Sequence, residues 1–407
     1  MNTAPAPGQL WRHAPLASFQ PGSPWGWMAD AALWVDGQQL RWVGRDADLP
    51  AGLLAVAEHH LQGALVTPGL IDAHTHLVYG GNRGGEFEQR LQGASYEDTA
   101  RTGGGIRSTV ASMRTAGSAA LFQATAGGAR ALMAEGVTNL KIKSGYGLNE
   151  TDEARCLAVA RRINRELPLS VPATSLAAHA LPPEFNGRPD DYIASAGTWL
   201  AGQQRNGLVD AVDALCDTIG FTPTQTERIF QAAQALGLPV KLHGEQLSDQ
   251  GGAELAARYG ALSCDHLEHL CPAGIAAMQA SGTVAMLLLS AYYVLRETQL
   301  PPIAALRQAG VPIAITTDHN PGSSPCLSLL LMLNMGCTLF RRTPEEAWRG
   351  VTVNGARALG LADRGVLAAG LRADFVVRDA EHPREMVYRF GDRPRCRVVH
   401  GGLERPP

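Results

Sequence analysis

The run GLIDAHTH, residues 69–76, ends in two histidines two positions apart and is the first of eight similar runs in the middle of the chain. Side chains at i and i+2 of a β-strand point to the same face, so His74 and His76 can reach one ion. Asp72 falls on that face as well. The eight apolar or β-branched runs are residues 69–76, 138–144, 169–177, 210–218, 239–245, 261–268, 283–290 and 311–318.

Segments with helical periodicity lie between most of these runs. In TPTQTERIFQAAQALG, Thr222 is a natural N-cap, Pro223 suits the first helical position and Gly237 ends the segment. Eight strand–helix units over about 250 residues are typical of a (β/α)₈ TIM-like barrel. A doubly wound open sheet is the alternative. The number of units favours the barrel.

Both ends of the chain read as short strands with glycine turns. LWVDGQQLRWVG, residues 33–44, contains an Asp-Gly hairpin turn, and GVLAAGLRADFVVRD and RCRVVHGG follow the same pattern near the C-terminus. We therefore expect a small β-sandwich domain built from residues 1–62 and 368–407. Residues 63–367 are then the barrel domain.

Composition restricts the class of protein. The chain has 407 residues, a formal net charge of −3, 45% hydrophobic and 18% charged residues, which is ordinary for a globular protein. This balance argues against disorder, collagen, nucleic-acid binding and a polybasic membrane contact. Seven dispersed cysteines and no recognisable secretory signal predict a cytoplasmic location. The longest apolar stretch, residues 284–295, is too short to span a membrane and is expected to be a buried strand that runs into a loop.

Further metal-capable residues fall at the ends of other runs. His243 in KLHGE closes the fifth run, His266 in CDHLEH the sixth and Asp318 in TTDHN the eighth. The C-terminal strand ends of a closed barrel meet at one mouth. A lone histidine in a strand is usually structural, but several at matching strand ends point to one centre. Imidazole and carboxylate ligands without cysteine suit Zn²⁺ or Fe²⁺ with one position open for water.

These motifs resemble the metal-dependent amidohydrolase superfamily, through TPGLIDAHTH, the histidines of runs five and six, the aspartate of run eight and GLRADFVVRD. A narrower resemblance, to the imidazolonepropionase family, covers roughly residues 60 to 370. It is carried by HTHLVYGGNRGGEFEQRLQGASYEDTARTGGGIRSTV, GVTNLKIKSGYGL, KLHGEQLSDQGGAELAARYGALSCDHLEHL and TTDHNPGSSP. The resemblance implies hydrolysis of 4-imidazolone-5-propanoate to N-formimidoyl-L-glutamate in histidine degradation. It also implies one zinc or iron ion and a homodimer, without nucleic-acid or membrane partners.

The resemblance also implies a set of site residues. Asp318 accepts a proton from the attacking water and passes it to the departing ring nitrogen, while His266 polarises the ring carbonyl. The guanidinium of Arg83 can hold the propionate with two parallel hydrogen bonds. The implied metal ligands are His74, His76, His243 and Asp318. The implied substrate contacts are Arg83, Tyr96, Tyr146, His179, Asn320, Gly322 and Ser323.

One position departs from a common pattern of that family. Some members carry a glutamate three residues after the histidine of run five, where this chain has Gln246. A glutamine can hydrogen-bond the substrate ring but cannot act as a general base. The neighbouring Glu245 is expected to point away from the site, because side chains alternate along a strand. Lys141 and Lys143 are expected either to be structural or to support the metal ligands from behind, because the resemblance is to a group that binds one metal.

Two alternatives of different kinds remain at the level of sequence. Another mononuclear amidohydrolase, acting on a cyclic amide or as a nucleobase-type deaminase, would share the metal ligands but not Arg83, Tyr146 and the NPGSS motif. A non-catalytic barrel that serves assembly or binding would be expected to have lost its metal ligands, whereas this chain has the whole set.

Overall fold

A computed structural model describes residues 8–53, 57–93 and 104–406. Its strands, in chain order, are β1 Gln9–Ala17, β2 Trp27–Asp36, β3 Gln39–Arg45, β4 Ala57–His60, β5 Leu65–Pro68, β6 Leu70–Asp72, β7 Val137–Leu140, β8 Ile142–Lys143, β9 Ala173–Ala178, β10 Ala211–Cys216, β11 Val240–Gly244, β12 Ser263–His266, β13 Val284–Leu288, β14 Ile313–Thr316, β15 Phe375–Arg378, β16 Cys396–His400 and β17 Leu403–Glu404. Its helices are α1 Gly84–Leu91, α2 Ile106–Thr115, α3 Ser118–Met133, α4 Glu150–Glu166, α5 Pro189–Arg205, α6 Pro223–Ala235, α7 Gly252–Arg258, α8 Pro272–Ser281, α9 Leu289–Leu295, α10 Ile303–Ala309, α11 Leu329–Thr338, α12 Pro344–Gly350, α13 Val353–Ala358 and α14 Pro383–Tyr388.

The two ends of the chain share one mixed sheet, as the sequence predicts. Its strand order is β17–β16–β15–β5–β1–β2–β3, and β4 pairs with the first half of β1. The sheet encloses its own apolar core, in which the Trp11 ring meets the Phe375 ring edge-on at 5.2 Å. The expected hairpin turn lies between β2 and β3, where Gly37 takes a φ of 58°. The N-terminal part of this sheet extends beyond the expected boundary at residue 62, because β5 pairs antiparallel with β15.

The middle of the chain forms a parallel barrel, and the eight predicted runs all supply strands. β8 to β14 form a seven-stranded parallel sheet in strict chain order, and β6 pairs with β7. Only Lys141 separates β7 from β8, so these two segments act as one strand of the barrel. A doubly wound sheet reverses its strand order at a switch point, and no such reversal occurs among the described residues.

The first and last strands of the barrel meet just past their ends. Thr75, after β6, forms a parallel bridge with His319, after β14, and the His76 amide donates to the His319 carbonyl at 2.8 Å. This contact brings the C-terminal strand ends together at one mouth, where the predicted metal residues lie.

Helix α6 confirms the signals read from its sequence. The Thr222 hydroxyl accepts from the Gln225 amide, and the Gln225 side chain accepts from the Thr222 amide, so the N-terminus carries a full capping box. Pro223 opens the helix, and Gly237 follows its end with a φ of 68°. Such caps satisfy backbone donors that the helix itself leaves unpaired.

The apolar stretch at residues 284–295 differs in part from expectation. Its first half is the buried strand β13, but the second half is helix α9 rather than a loop. Leu289, Ser290 and Ala291 are buried, so packing continues past the strand. Within the described residues, no helix is long and apolar enough to cross a membrane.

Candidate metal centre and active site

The four implied metal ligands meet in the barrel mouth. His74 Nε2 lies 3.2 Å from His76 Nε2 and 3.2 Å from Asp318 Oδ1. His243 Nε2 lies 3.3 Å from His76 Nε2. All four side chains are almost fully buried. His243 lies on β11, whereas His74 and His76 follow β6 and Asp318 follows β14. Because these strand ends meet at one mouth, residues that are distant in the sequence converge.

The donor set fits a divalent metal ion. His74 Nδ1 lies 2.6 Å from Asp265 Oδ2, and His243 Nδ1 lies 3.1 Å from Asp213 Oδ1. A carboxylate only accepts hydrogen bonds, so each Nδ1 carries the proton and each Nε2 presents a lone pair. Three imidazoles and one carboxylate that converge in this way are ligands that divalent zinc or iron accepts.

A layer of buried charged side chains lies beneath the ligands. We call the ligands and this layer together the floor. It contains Lys143, whose Nζ is 2.7 Å from Asp213 Oδ2 and 3.3 Å from Asp265 Oδ2. Burial raises the pKa of both carboxyls, but the neighbouring cations, Lys143 foremost, outweigh it and bring both pKa values below the ordinary range. Both aspartates are therefore ionised and balance the buried lysine.

Asp72 has a different role from the neighbouring histidines. Its carboxylate accepts from the hydroxyl of Thr316, from the Thr317 hydroxyl at 2.6 Å and from the Thr317 amide at 3.2 Å. Burial raises its pKa to about 6. These bonds join the first strand of the barrel to the last, so Asp72 supports the closure of the barrel.

His266 ends β12 beside the ligand cluster. Its ring centroid lies 5.7 Å from that of His243 and 6.4 Å from that of His74. Its backbone takes a φ of 88°, which turns the chain sharply at the strand end. Burial lowers its pKa well below the ordinary value, so the imidazole is neutral. Its Nδ1 is buried without a hydrogen-bond partner among the described residues, which leaves that atom free to meet a ligand.

Asn320 fixes the loop that follows Asp318. Its Nδ2 donates to Asp318 Oδ2 at 3.1 Å, while its Oδ1 accepts from the amides of Gly322 and Ser323 at 2.9 and 2.8 Å. The Ser323 hydroxyl also lies 3.2 Å from Asn320 Oδ1. This amide is therefore mainly engaged with its own loop, and it leaves Asp318 Oδ1 directed at the histidines.

Arg83 lies against the same loop, at Gly322. Its Nε donates to Glu86 Oε2 at 2.8 Å, and Glu86 also accepts from the Gly105 amide and the Ser108 hydroxyl. A Cβ at Gly322 would lie 2.0 Å from Arg83 Nη1, so only glycine permits this approach. We call Arg83, Glu86, Asn320, Gly322 and Ser323 the rim. Arg83 and Gly322 line a cavity of about 640 Å³.

Two aromatic side chains border the ligands. The His179 ring stacks on His76 with centroids 5.1 Å apart, and the Tyr146 ring lies 5.9 Å from His76. His179 Nδ1 donates to the Gly145 carbonyl at 2.8 Å, so its Nε2 is the acceptor. Burial, aided by His243, lowers the pKa of His179 to about 4. Burial raises the pKa of Tyr146, which remains a neutral hydroxyl.

Comparison with known proteins identifies the family of this chain. The model of the amidohydrolase family matches residues 65–401. The chain belongs to the amidohydrolase family. It is 56% identical over 396 residues to the imidazolonepropionase of Ralstonia nicotianae, covering 97% of each chain. It is 54% identical over 400 residues to that of Paracoccus denitrificans, covering 97% of this chain and all of the other.

Solved structures share the fold of this amidohydrolase at low sequence identity. A triazine hydrolase variant superposes with a TM-score of 0.76 at 17% identity, covering 98% of this chain and 94% of the other. A 5-methylcytosine deaminase from Klebsiella pneumoniae gives 0.74 at 17% identity, covering 97% and 96%. At this identity the likeness establishes the barrel architecture with its terminal sheet and nothing finer.

Glu245 and Gln246 lie past the end of β11 in this amidohydrolase. Glu245 takes a φ of 58° and turns its buried carboxylate away from the ligands, where it accepts from the Gln250 and Ala253 amides at 2.8 and 2.9 Å. It thus holds the start of α7. The Gln246 amide donates to Asp217 Oδ2 at 3.1 Å, and its side chain is half-buried.

One predicted site residue cannot be placed, and three residues of the site were not predicted from the sequence. Tyr96 lies outside the described residues. Asp213, Asp265 and Glu86 escaped notice, although Asp213 and Asp265 occur in the runs DAVDALCDT and ALSCDHLE. A charged residue inside an otherwise apolar strand run is a signal that was available, because buried charges are rare unless paired.

Proposed function

We propose that this amidohydrolase hydrolyses 4-imidazolone-5-propanoate to N-formimidoyl-L-glutamate, a step of histidine degradation. The observation that carries the proposal is that three histidines and one aspartate converge in the barrel mouth, while the guanidinium of Arg83 packs on the loop that follows Asp318. This arrangement suits a small ring with an anionic tail. Relatives called imidazolonepropionase that match nearly the whole chain support it.

The proposed metal ligands are His74, His76, His243 and Asp318, and the ion is zinc or iron. When bound, such an ion activates water for attack and polarises a carbonyl. Lys143 lies between two carboxylates, which supports a structural role and a single metal. Lys141 is likewise buried, 3.7 Å from Asp213 Oδ2.

Asp318 and His266 are the proposed catalytic residues. Asp318 takes a proton from the attacking water and gives it to the departing ring nitrogen, after which the lactam C–N bond is broken. Asn320 supports this role, because it holds Oδ2 and leaves Oδ1 on the side of the histidines. The neutral His266 donates a hydrogen bond to the ring oxygen as negative charge develops there.

The propionate is proposed to bind Arg83 at the rim. The Nε of Arg83 donates to Glu86, so the two Nη groups of Arg83 remain to bind the carboxylate of the substrate. Tyr146 and His179 offer a hydroxyl donor and a ring acceptor to the imidazolone. The remaining proposed contacts are Tyr96, Gln246, Asn320, Gly322 and Ser323.

The proposal extends to the setting of the enzyme. We propose a homodimer in the cytoplasm, without nucleic-acid partners, and a domain division into residues 1–62 with 368–407 and residues 63–367. Seven free cysteines support a reducing compartment, and the net charge of −3 argues against nucleic acid. Separate apolar cores support two domains, but Val66 of β5 belongs to the core of the terminal sheet, so this sheet extends beyond the proposed boundary at residue 62. Sedimentation of the purified protein and limited proteolysis test the dimer and the boundaries.

The deciding experiment is a turnover assay with freshly made imidazolonepropionate. The metal is stripped, and zinc and iron are re-added separately before the loss of substrate absorbance is followed. Turnover that returns with one ion supports the proposal and identifies the metal. Release of ammonia from nucleobases instead, with the imidazolone left intact, would favour a deaminase and reject it.

A further inference from the structure

The three histidines of the floor differ in the hydrogen-bond partner of their Nδ1 atom. His74 and His243 each direct Nδ1 at a buried carboxylate, at 2.6 Å from Asp265 and 3.1 Å from Asp213. His76 has no such partner among the described residues, and its Nδ1 is buried without a hydrogen bond. Its ring is held by stacking on His179 instead.

Both carboxylates are fully enclosed, and each comes from a different strand of the barrel. Asp213 lies on β10 and Asp265 on β12, and neither side chain has measurable exposure. A buried carboxylate is costly unless it is paired and hydrogen-bonded. Lys143 reaches both from β8, and the Ser263 hydroxyl donates to the second oxygen of Asp265 at 2.5 Å.

This arrangement selects one imidazole tautomer. With Nδ1 protonated, His74 and His243 each donate to a carboxylate and present the Nε2 lone pair to the ligand cluster. The opposite tautomer would set the Nδ1 lone pair against a negative charge. Lys143 Nζ does not distinguish the tautomers, because it lies 2.9 and 3.0 Å from the two ring nitrogens of His74 and 3.2 and 3.5 Å from those of His243.

We propose that Asp265 and Asp213 are positioning residues for the metal site. Each carboxylate fixes the tautomer and ring orientation of one ligand histidine, and Lys143, 2.7 Å from Asp213 and 3.3 Å from Asp265, holds both carboxylates in place. The inference rests on the proposed ligand set, but it concerns the affinity for metal and not the substrate. Partners of this kind typically change metal affinity by about 10- to 100-fold.

The test measures Zn²⁺ affinity in the full-length protein without substrate. Apo wild type, Asp265→Asn and Asp213→Asn compete with a chromophoric chelator for Zn²⁺ at fixed pH. Asparagine keeps the size of the side chain and removes its charge. We expect each variant to bind Zn²⁺ about 10- to 100-fold more weakly than wild type. Nitrogen-15 spectra of the histidines should also lose the strongly bonded Nδ1–H signal of the affected ring.

Asp210→Asn is the matched control. This aspartate precedes β10 by one residue, is exposed and pairs with Arg161 at 2.7 Å, so Zn²⁺ affinity should not change. If Asp265→Asn does not fold, as judged by circular dichroism of the apo protein, Ser263→Ala replaces it and should weaken Zn²⁺ binding a few-fold by releasing Asp265.

Folded aspartate variants with wild-type affinity and unchanged histidine spectra would overturn the inference. Equal weakening in Asp210→Asn would also do so, because the effect would then not be local. A protein whose Zn²⁺ affinity depends on Asp265 and Asp213, but which leaves imidazolonepropionate intact, would refute the proposed function alone.

Discussion

The floor of the barrel mouth is held by buried charges, whereas the rim is held by contacts between loops. The floor places Lys143, Asp213 and Asp265 under the histidines with almost no solvent exposure. The rim relies on Glu86, Asn320 and a glycine contact, and the Arg83 side chain is 20% exposed. The difference indicates that the geometry of the ligands is rigidly specified, whereas the substrate contacts can vary without loss of the centre.

Metal removal should give the largest effect. Chelation is expected to abolish turnover and to lower the thermal midpoint, because an ion at 100 times its dissociation constant adds about 2.7 kcal/mol to stability. Calorimetry and activity before and after re-addition of zinc or iron check this. An apo protein that keeps both its midpoint and its activity would contradict a metal-dependent floor.

Asp318→Ala tests the floor at one residue. It removes both a metal ligand and the proposed proton acceptor, so kcat/KM should fall by about 10³-fold or more. The assay is substrate absorbance, with metal content measured on the same sample. More than a few per cent of activity with the metal still bound would refute the role of Asp318.

Arg83→Gln probes the rim. Loss of a charge-assisted pair with the propionate should raise KM by about 10- to 100-fold, with a smaller change in kcat. Steady-state kinetics separate the two constants, and Zn²⁺ affinity serves as the control that should stay constant. An unchanged KM would show that the carboxylate of the substrate is bound elsewhere.

Gly322→Ala should act on the rim more mildly. The new methyl group would meet Arg83 Nη1, and this flexible guanidinium can move aside. We expect KM to rise by about three- to tenfold, because the Arg83 fork is displaced from its position. Combining it with Arg83→Gln should add little. Additive losses would show that the two residues act separately.

Glu268 extends the comparison, because it is a buried carboxyl that pairs with no cation among the described residues, whereas Asp265 pairs with Lys143. It follows β12, and burial raises its pKa to about 8. Folding therefore takes up a proton between pH 4.5 and 8, and the free energy of unfolding falls as pH rises through that window. Glu268→Gln mimics the protonated form, so its midpoint should exceed that of wild type by about 1–3 °C at pH 8.

That stability gain should shrink toward pH 5, because this pH is close to 4.5, below which the wild-type carboxyl is protonated in both the folded and the unfolded states. Thermal melts at the two pH values measure it. A gain that is the same at both would indicate a packing effect rather than titration of Glu268.

The site residues at the strand ends could be predicted from the sequence, whereas the contacts between side chains from different strands could not. His74 and His76 follow from the period of a strand, and His243, His266 and Asp318 from their places at strand ends. The resemblance added Arg83, Tyr146 and His179. Asn320 was expected at the substrate, but its bonds are mostly to its own loop.

The sequence by itself determined the eight-stranded barrel, the terminal sheet and the histidines and aspartate that meet at the mouth, because hydrophobic period and strand order act locally along the chain. Only the tertiary structure decided that Lys143 on β8 meets Asp213 on β10 and Asp265 on β12. It also decided that Glu86 holds Arg83 and that Asp72 joins the first strand to the last. These contacts depend on the curvature that closes the sheet, and no local pattern in the chain encodes which side chains then meet across its interior.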